Sequence, residues 1–126
     1  MSATATLAVA AAFNLVCTGT LISGELRTMW SKDRKTEPFS TVLRVDLSLH
    51  RWCEGDCKST SPIQRASDTE ILFQLEEKPD IGFDHVKLVN RETGAFIDRM
   101  RAGGFVMMST ATCEKAAFTG FPQKRF

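Results

Sequence analysis

From Phe13 onward, apolar and polar residues alternate along the chain with a period of two. The clearest example is the stretch 41–50, where the odd positions form an apolar face and the even positions a polar one. The two faces are Thr41, Leu43, Val45, Leu47 and Leu49 against Arg44, Asp46, Ser48 and His50. Such alternation is typical of a half-buried antiparallel strand. We therefore predict that the odd face lies in the interior and the even face in solvent.

Five further runs show a weaker form of the same alternation: 13–22, 70–76, 85–90, 95–101 and 105–113. Glycine and proline punctuate the segments between them, which is typical of turns. The sequence therefore predicts an all-β fold of one domain, residues 13–126. In this fold six antiparallel strands form a meander that closes into a small barrel or a flattened sandwich.

Residues 1–12 differ from the rest because they are small, weakly apolar and free of charge. With Ala-x-Ala sequences at 8–10 and 10–12, they are similar to the second half of a secretory signal peptide, although no Lys or Arg precedes Arg27. We expect a signal-like or flexible N-terminal segment, the alternative being a short helix or arm of the folded domain. No later stretch has the ~18 consecutive apolar residues of a membrane helix, so no integral membrane segment is expected.

Four cysteines form one distant pair and one close pair along the chain. Cys17 and Cys113 each share a face with the apolar residues of their strands, so both point into one interior if the last strand returns beside the first. Cys53 and Cys57 are separated by only three residues. We predict the disulfides Cys17–Cys113 and Cys53–Cys57, which staple the domain. Disulfides in a small domain indicate an oxidising compartment, here the periplasm or the cell exterior.

The charge and the motifs exclude several function classes. A formal net charge of +1, from 16 basic and 15 acidic residues, provides no overall field for binding nucleic acid. No nucleotide-binding loop, nucleophile elbow or zinc-protease motif occurs in the chain. We therefore expect no enzyme activity, no cofactor and no metal. His50, Cys53 and Cys57 are the best candidate zinc ligands, but their spacing is looser than that of a zinc knuckle.

The segment 50–58 is the strongest candidate for a binding site. It combines an aromatic residue, both signs of charge and a disulfide-closed turn at the end of a strand, features that suit a recognition loop. The predicted binding residues are Trp52, Arg51, Glu54 and Asp56, joined by Trp30 from the charged stretch 25–38. The structural alternative is a plain turn whose Trp52 folds back onto the core.

These features predict a non-catalytic binding or inhibitor module with a protein partner. Two alternatives remain open. The first is a carrier that holds a small apolar molecule inside the barrel, and the second is a purely structural envelope protein.

Other polar residues are weaker candidates. Asp84 and His85 are strand neighbours and so point to opposite faces, which prevents them from forming an acid–base pair. Lys87, Arg91, Arg99 and Arg101 fall on one predicted hairpin and could form a modest basic patch, which is weak evidence for nucleic-acid binding.

Three segments carry a family resemblance: Phe13-Asn-Leu-Val-Cys-Thr-Gly19, Arg51-Trp-Cys-Glu-Gly-Asp-Cys57 and Cys113-Glu-Lys-Ala-Ala-Phe-Thr-Gly-Phe-Pro122. Together they resemble small exported bacterial proteins of unassigned activity. Cys17-Thr-Gly19 and Cys113 are also similar to the outline of the periplasmic β-barrel inhibitors of c-type lysozyme. That second resemblance implies a small barrel. The serine-rich inhibitory loop followed by tyrosine has no counterpart, because this chain contains no tyrosine.

Overall fold

A computed structural model describes residues 11–31 and 34–123. In this part of the chain the strands form a single antiparallel sheet that curls into a half-barrel. The strands are β1 (Ala12–Glu25), β2 (Lys35–Asp46), β3 (Arg51–Glu54), β4 (Ser61–Pro62), β5 (Arg65–Ala66), β6 (Glu70–Lys78), β7 (Phe83–Asn90), β8 (Ala95–Ala102) and β9 (Phe105–Ala116). Two short 3-10 turns, Leu26–Thr28 and Pro79–Ile81, follow β1 and β6. The predicted all-β class is confirmed.

The order of the strands shows how the sheet closes. It runs β4-β3-β2-β1-β9-β8-β7-β6-β5, so β9 lies beside β1, which is the condition for the predicted Cys17–Cys113 disulfide. The two edge strands, β4 and β5, are joined directly by Ile63 and Gln64. The amide of Ile63 donates to the His50 carbonyl at 2.9 Å, and the amide of Gln64 donates to the Leu72 carbonyl at 2.9 Å. The chain itself therefore spans the gap between the two edges of the sheet.

The concave face of the sheet holds the hydrophobic core. Its buried members are Phe13, Leu15, Cys17, Leu43, Val45, Trp52, Ile63, Ile71, Phe73, Val89, Phe96 and Cys113. Aromatic contacts cross this interior: the ring centroids of Trp52 and Phe73 are 5.1 Å apart, and those of Phe39 and Phe96 are 6.1 Å apart. Side chains thus fill the centre of the half-barrel.

The strand predicted at 41–50 is correct in its first half and wrong at its end. Leu43 and Val45 are fully buried, but β2 ends at Asp46 and Leu49 is 62% exposed. The cause is local, because the Asp46 Oδ1 atom accepts hydrogen bonds from the amides of Ser48 (3.0 Å) and Leu49 (3.1 Å). This side-chain-capped turn reverses the chain within four residues.

Short strands β3, β4 and β5 were not predicted, because runs of two to four residues show no usable alternation. The charged stretch 25–38 contributes its last residues to β2, and its Met29 is buried on the convex face of the sheet.

Both predicted disulfides are present. Cys17 and Cys113 lie directly opposite each other on β1 and β9, with 4.0 Å between their Cα atoms, and Cys53 and Cys57 are bridged across a Cα distance of 5.2 Å. No helix within the described residues is long and apolar enough to cross a membrane.

The predicted N-terminal segment 1–12 lies largely outside the described residues. Of its last members, Ala11 accepts a hydrogen bond from the Leu47 amide at 2.8 Å, and Ala12 is the first residue of β1.

Candidate functional site

Trp52, the centre of the predicted binding loop, lies in the core. Its side chain packs on Phe73, its indole NH donates to the Pro62 carbonyl at 3.2 Å, and only 6% of the residue is exposed. The pairing of Trp52 with Val45 explains this, because residues directly opposite in an antiparallel pair share a face. The geometry is that of the structural alternative, a turn whose tryptophan folds back onto the core.

The other predicted binding residues do not form one surface with Trp52. Arg51 donates to the Oγ1 atom of Thr60 at 3.0 Å and to its carbonyl at 2.6 Å. Glu54 points into the interior, and Asp56 is exposed in the disulfide-closed turn. Trp30 follows the far end of β1, away from the end where β3 pairs with β2.

Five polar side chains form a continuous series of contacts inside the half-barrel, which we call the interior polar chain. The hydroxyl of Thr41 donates to Glu54 Oε2 at 2.7 Å, and the ammonium of Lys87 donates to Glu54 Oε1 at 2.5 Å. Lys87 Nζ also lies 3.4 Å from Asp98 Oδ2, and Asp98 Oδ1 lies 2.7 Å from His85 Nε2 in a hydrogen bond. The sequence alone did not predict this cluster.

The interior polar chain is internally satisfied. Only 8% of the Lys87 side chain is exposed, and its charge is balanced by the carboxylates of Glu54 and Asp98 and by the Trp52 ring, whose centroid is 5.1 Å from Nζ. The hydroxyl of Thr41 donates to Glu54, whereas the ring nitrogen Nε2 of His85 pairs with Asp98. Within residues 11–31 and 34–123, no three His, Cys, Asp or Glu side chains are grouped as a metal site. The arrangement therefore holds the two walls of the half-barrel together.

The predicted basic patch is wrong, because its members lie on opposite faces of the sheet. Lys87 is buried in the interior, whereas Arg99 and Arg101 are half-exposed on the convex face and pair with Asp84 at 3.7 and 2.8 Å. Asp84 and His85 do point to opposite faces, as predicted.

One end of the half-barrel exposes large apolar side chains on three adjacent loops. These residues, which we call the loop end, are Leu26, Trp30, Ile81 and Phe105. Backbone hydrogen bonds join the loops, from the Leu26 amide to the Gly104 carbonyl (2.6 Å) and from the Gly103 amide to the Gly82 carbonyl (3.0 Å). These bonds hold the turns that carry the exposed apolar residues next to one another at this end of the sheet.

Trp30 is the most prominent member of the loop end, with 82% of its surface exposed. It borders a cleft of about 280 Å³ that is also lined by Asp84, Arg99 and Arg101. Arg34 reaches the same neighbourhood, because its guanidinium donates to the Met29 carbonyl at 3.5 Å. The cleft beside Trp30 is therefore lined by two arginines and one aspartate, with Arg34 bonded to the neighbouring Met29.

A scan against protein-family models, a search of curated proteins and a search of solved structures each find no match to this chain.

Proposed function

We propose that this protein is a non-catalytic binding module of an oxidising compartment, the periplasm or the cell exterior, and that a protein partner docks on the loop end through Trp30. The observation that carries the proposal is the exposed indole of Trp30, at the same end of the half-barrel as three other exposed apolar side chains, on loops joined by backbone hydrogen bonds. Contiguous exposed apolar surface on a small domain marks interaction sites, and tryptophan is enriched among residues that dominate binding energy. The two disulfides support the compartment.

The charge beside Trp30 defines the chemistry of the partner. Asp84 offsets part of the charge of Arg99 and Arg101, and Arg34 adds a further cation, so the cleft has a net positive charge. An apolar segment that carries carboxylates complements this surface. Because the arginines are half-exposed, binding should weaken as ionic strength rises.

The experiment compares the wild-type protein with Trp30→Ala and with Leu49→Ala. Leu49 is a matched control because it is also a large, exposed apolar residue, but it lies at the opposite end of the half-barrel. Proteins captured by the wild type are identified by mass spectrometry. The affinity of the purified partner for the wild type and for each variant is then measured at low and at high salt.

We expect Trp30→Ala to weaken the affinity about 30-fold, Arg99→Gln to weaken it less and to reduce its salt dependence, and Leu49→Ala to leave it unchanged. A partner that binds Trp30→Ala and Leu49→Ala equally would contradict the proposal, as would the absence of any protein that distinguishes them.

The alternative function, a carrier of a small apolar ligand, requires space in the centre of the half-barrel. Phe73, Leu43 and Val45 are fully buried there and fill the space that a ligand would need. A molecule the size of a metabolite therefore has access only to the ends.

A further inference from the structure

The end of the half-barrel opposite the loop end opens into a cavity of about 430 Å³ beside the 90–94 hairpin loop. We call it the hairpin mouth. Its floor is formed by Phe13, Leu15, Ile71 and Val89, which belong to the hydrophobic core. The volume falls within the range of small-molecule sites, roughly 300–1,000 Å³. Phe13 lies ~40 Å along β1 from Glu25, where the loop end begins, so the two sites are separate.

The rim of the hairpin mouth is held in place by hydrogen bonds. The Asn90 Oδ1 atom accepts from the amides of Glu92 (2.8 Å) and Thr93 (3.0 Å), which fixes the turn. The Cys113 amide donates to the Gly94 carbonyl at 2.8 Å and ties the turn to β9. Because the rim is already ordered before a ligand binds, binding carries a smaller entropic cost for ordering the protein.

The charge at the rim is unbalanced. Lys115 places its ammonium 5.0 Å from the centroid of the Phe13 ring, above the apolar floor. Arg91 also lines the mouth and donates to the Ser67 carbonyl at 2.6 Å. Among the residues that the structure describes, neither cation lies within ion-pair distance of a carboxylate, and Glu92 is the one acidic residue lining the mouth.

We propose that the hairpin mouth binds a small amphiphile with one hydrocarbon chain and an anionic headgroup, either a carboxylate or a phosphate. The chain packs on the apolar floor, where burial of CH₂ groups drives binding. The headgroup lies beside the ammonium of Lys115. The attraction between the two charges is stronger at the edge of an apolar surface than in bulk water, because the local dielectric constant is lower. This site is independent of the protein-binding surface proposed at Trp30.

The test is a titration of the ¹⁵N-labelled protein followed by amide NMR shifts. The probes are octanoate, octyl phosphate and neutral octan-1-ol, so that chain and headgroup are varied separately. Lys115→Gln removes the charge at the mouth, and Lys115→Arg retains it. Lys35→Gln is the matched control, because Lys35 is an exposed lysine at the end of β2 that is far from the hairpin mouth. The spectrum of each variant reports whether it is folded.

We expect saturable shifts at Val89, Gly94 and Lys115 with at least one anionic probe, and weaker binding of octan-1-ol. Lys115→Gln should raise the dissociation constant of that anionic probe about threefold, while Lys115→Arg and Lys35→Gln should leave it near the wild-type value. Comparing octanoate with octyl phosphate distinguishes the carboxylate from the phosphate.

Three results would overturn the proposal: no saturable shift at the mouth with either anion, shifts centred on Trp30 instead, or equal binding of the anions and the alcohol. If Lys115→Gln and Lys35→Gln changed the dissociation constant of the anionic probe equally, the rim charge would not contribute to binding, which would also contradict the proposal.

Discussion

Lys87 on β7 donates a hydrogen bond to Glu54 on β3 across the interior of the half-barrel, with 2.5 Å between Nζ and Oε1. Strands β2, β1, β9 and β8 separate the two residues in the sheet, so the bond joins facing walls rather than neighbouring strands. The contact between Trp52 and Phe73 joins the same walls. Together they stabilise the curl of the sheet against flattening.

Removal of the buried charge should destabilise the fold. We expect Lys87→Met to lower the free energy of unfolding by about 3 kcal/mol, because Glu54 and Asp98 are then left without their cation in a shielded position. Urea denaturation measures this loss. Lys35→Met, at an exposed lysine, serves as the control and should change stability by less than about 0.5 kcal/mol.

The double variant Lys87→Met/Glu54→Gln provides a second test of the ion pair between Lys87 and Glu54. It should recover about 1 kcal/mol of the loss, since the uncompensated carboxylate is removed as well. Equal losses from Lys87→Met and Lys35→Met would show that the ion pair does not hold the walls together.

The two disulfides should contribute unequally. Cys17–Cys113 closes a loop with a sequence separation of 96 and Cys53–Cys57 one with a separation of 4. In the chain-entropy model these loops correspond to about 4.7 and 2 kcal/mol of stabilisation. Calorimetry of the Cys17→Ala/Cys113→Ala and Cys53→Ala/Cys57→Ala variants measures both. A larger loss from the short loop would contradict the model.

Gly94 and Gly103 offer a matched pair for testing the hairpin that borders the mouth. Both adopt positive φ, 76° and 61°, but a Cβ at Gly94 would lie 2.5 Å from the Cys113 carbonyl oxygen, while one at Gly103 would meet nothing within 4 Å. Gly103→Ala should therefore cost about 1 kcal/mol from backbone strain alone.

Gly94→Ala should cost clearly more, about 3 kcal/mol, because the clash adds to the strain. The midpoints of thermal unfolding provide the comparison. Equal shifts of the two midpoints would mean that the hairpin moves freely away from β9.

The Asp46 turn should produce a pH-dependent contribution to stability. A hydrogen bond from the Ser48 hydroxyl is the main cause that lowers the pKa of Asp46 below its ordinary value of 3.8; the amides of Ser48 and Leu49 act in the same direction, and burial opposes them. Because the pKa is lower in the folded state, this stabilisation is fully present above the ordinary value and is lost as the pH falls through the folded pKa.

The difference in unfolding free energy between wild type and Asp46→Ala should therefore be larger at about pH 6 than at about pH 2. Asp56→Ala, at an exposed carboxylate, is measured alongside as the comparison. A difference for Asp46→Ala that stays constant over this range would contradict the role of the ionised carboxylate.

The long strands could be predicted because each has one continuous apolar face. Leu43 and Val45 on β2 alternate with polar residues, and Cys17 and Cys113 share faces with apolar neighbours, so even the long disulfide follows from strand phase. Strand alternation alone does not place Trp52: counted straight through the 47–50 turn, its even position would fall on the polar face of the 41–50 strand. The chain reverses there, and Val45 and Trp52, an odd and an even position, become partners on one face.

The interior polar chain could not be predicted for a different reason. Strand β7 has apolar residues on both faces, with Val86 and Leu88 on the convex side and Val89 on the concave side. Alternation alone therefore does not show that His85 and Lys87 point inward. Their partners on β3 and β8 depend on the curl of the whole sheet, which no local segment encodes.

The position of β9 in the sheet has a consequence for biosynthesis. Strands β4, β3, β2 and β1 form one wing and β8, β7, β6 and β5 the other, and among the described strands only β9 pairs with both wings. A chain that emerges N-terminus first makes every strand of both wings before the one that unites them. Cys53 and Cys57 are close enough to be oxidised early, whereas Cys17 has no native partner until Cys113 emerges. Until then each wing exposes an unpaired edge, and a chaperone that shields the edges of β1 and β8 would act during that interval.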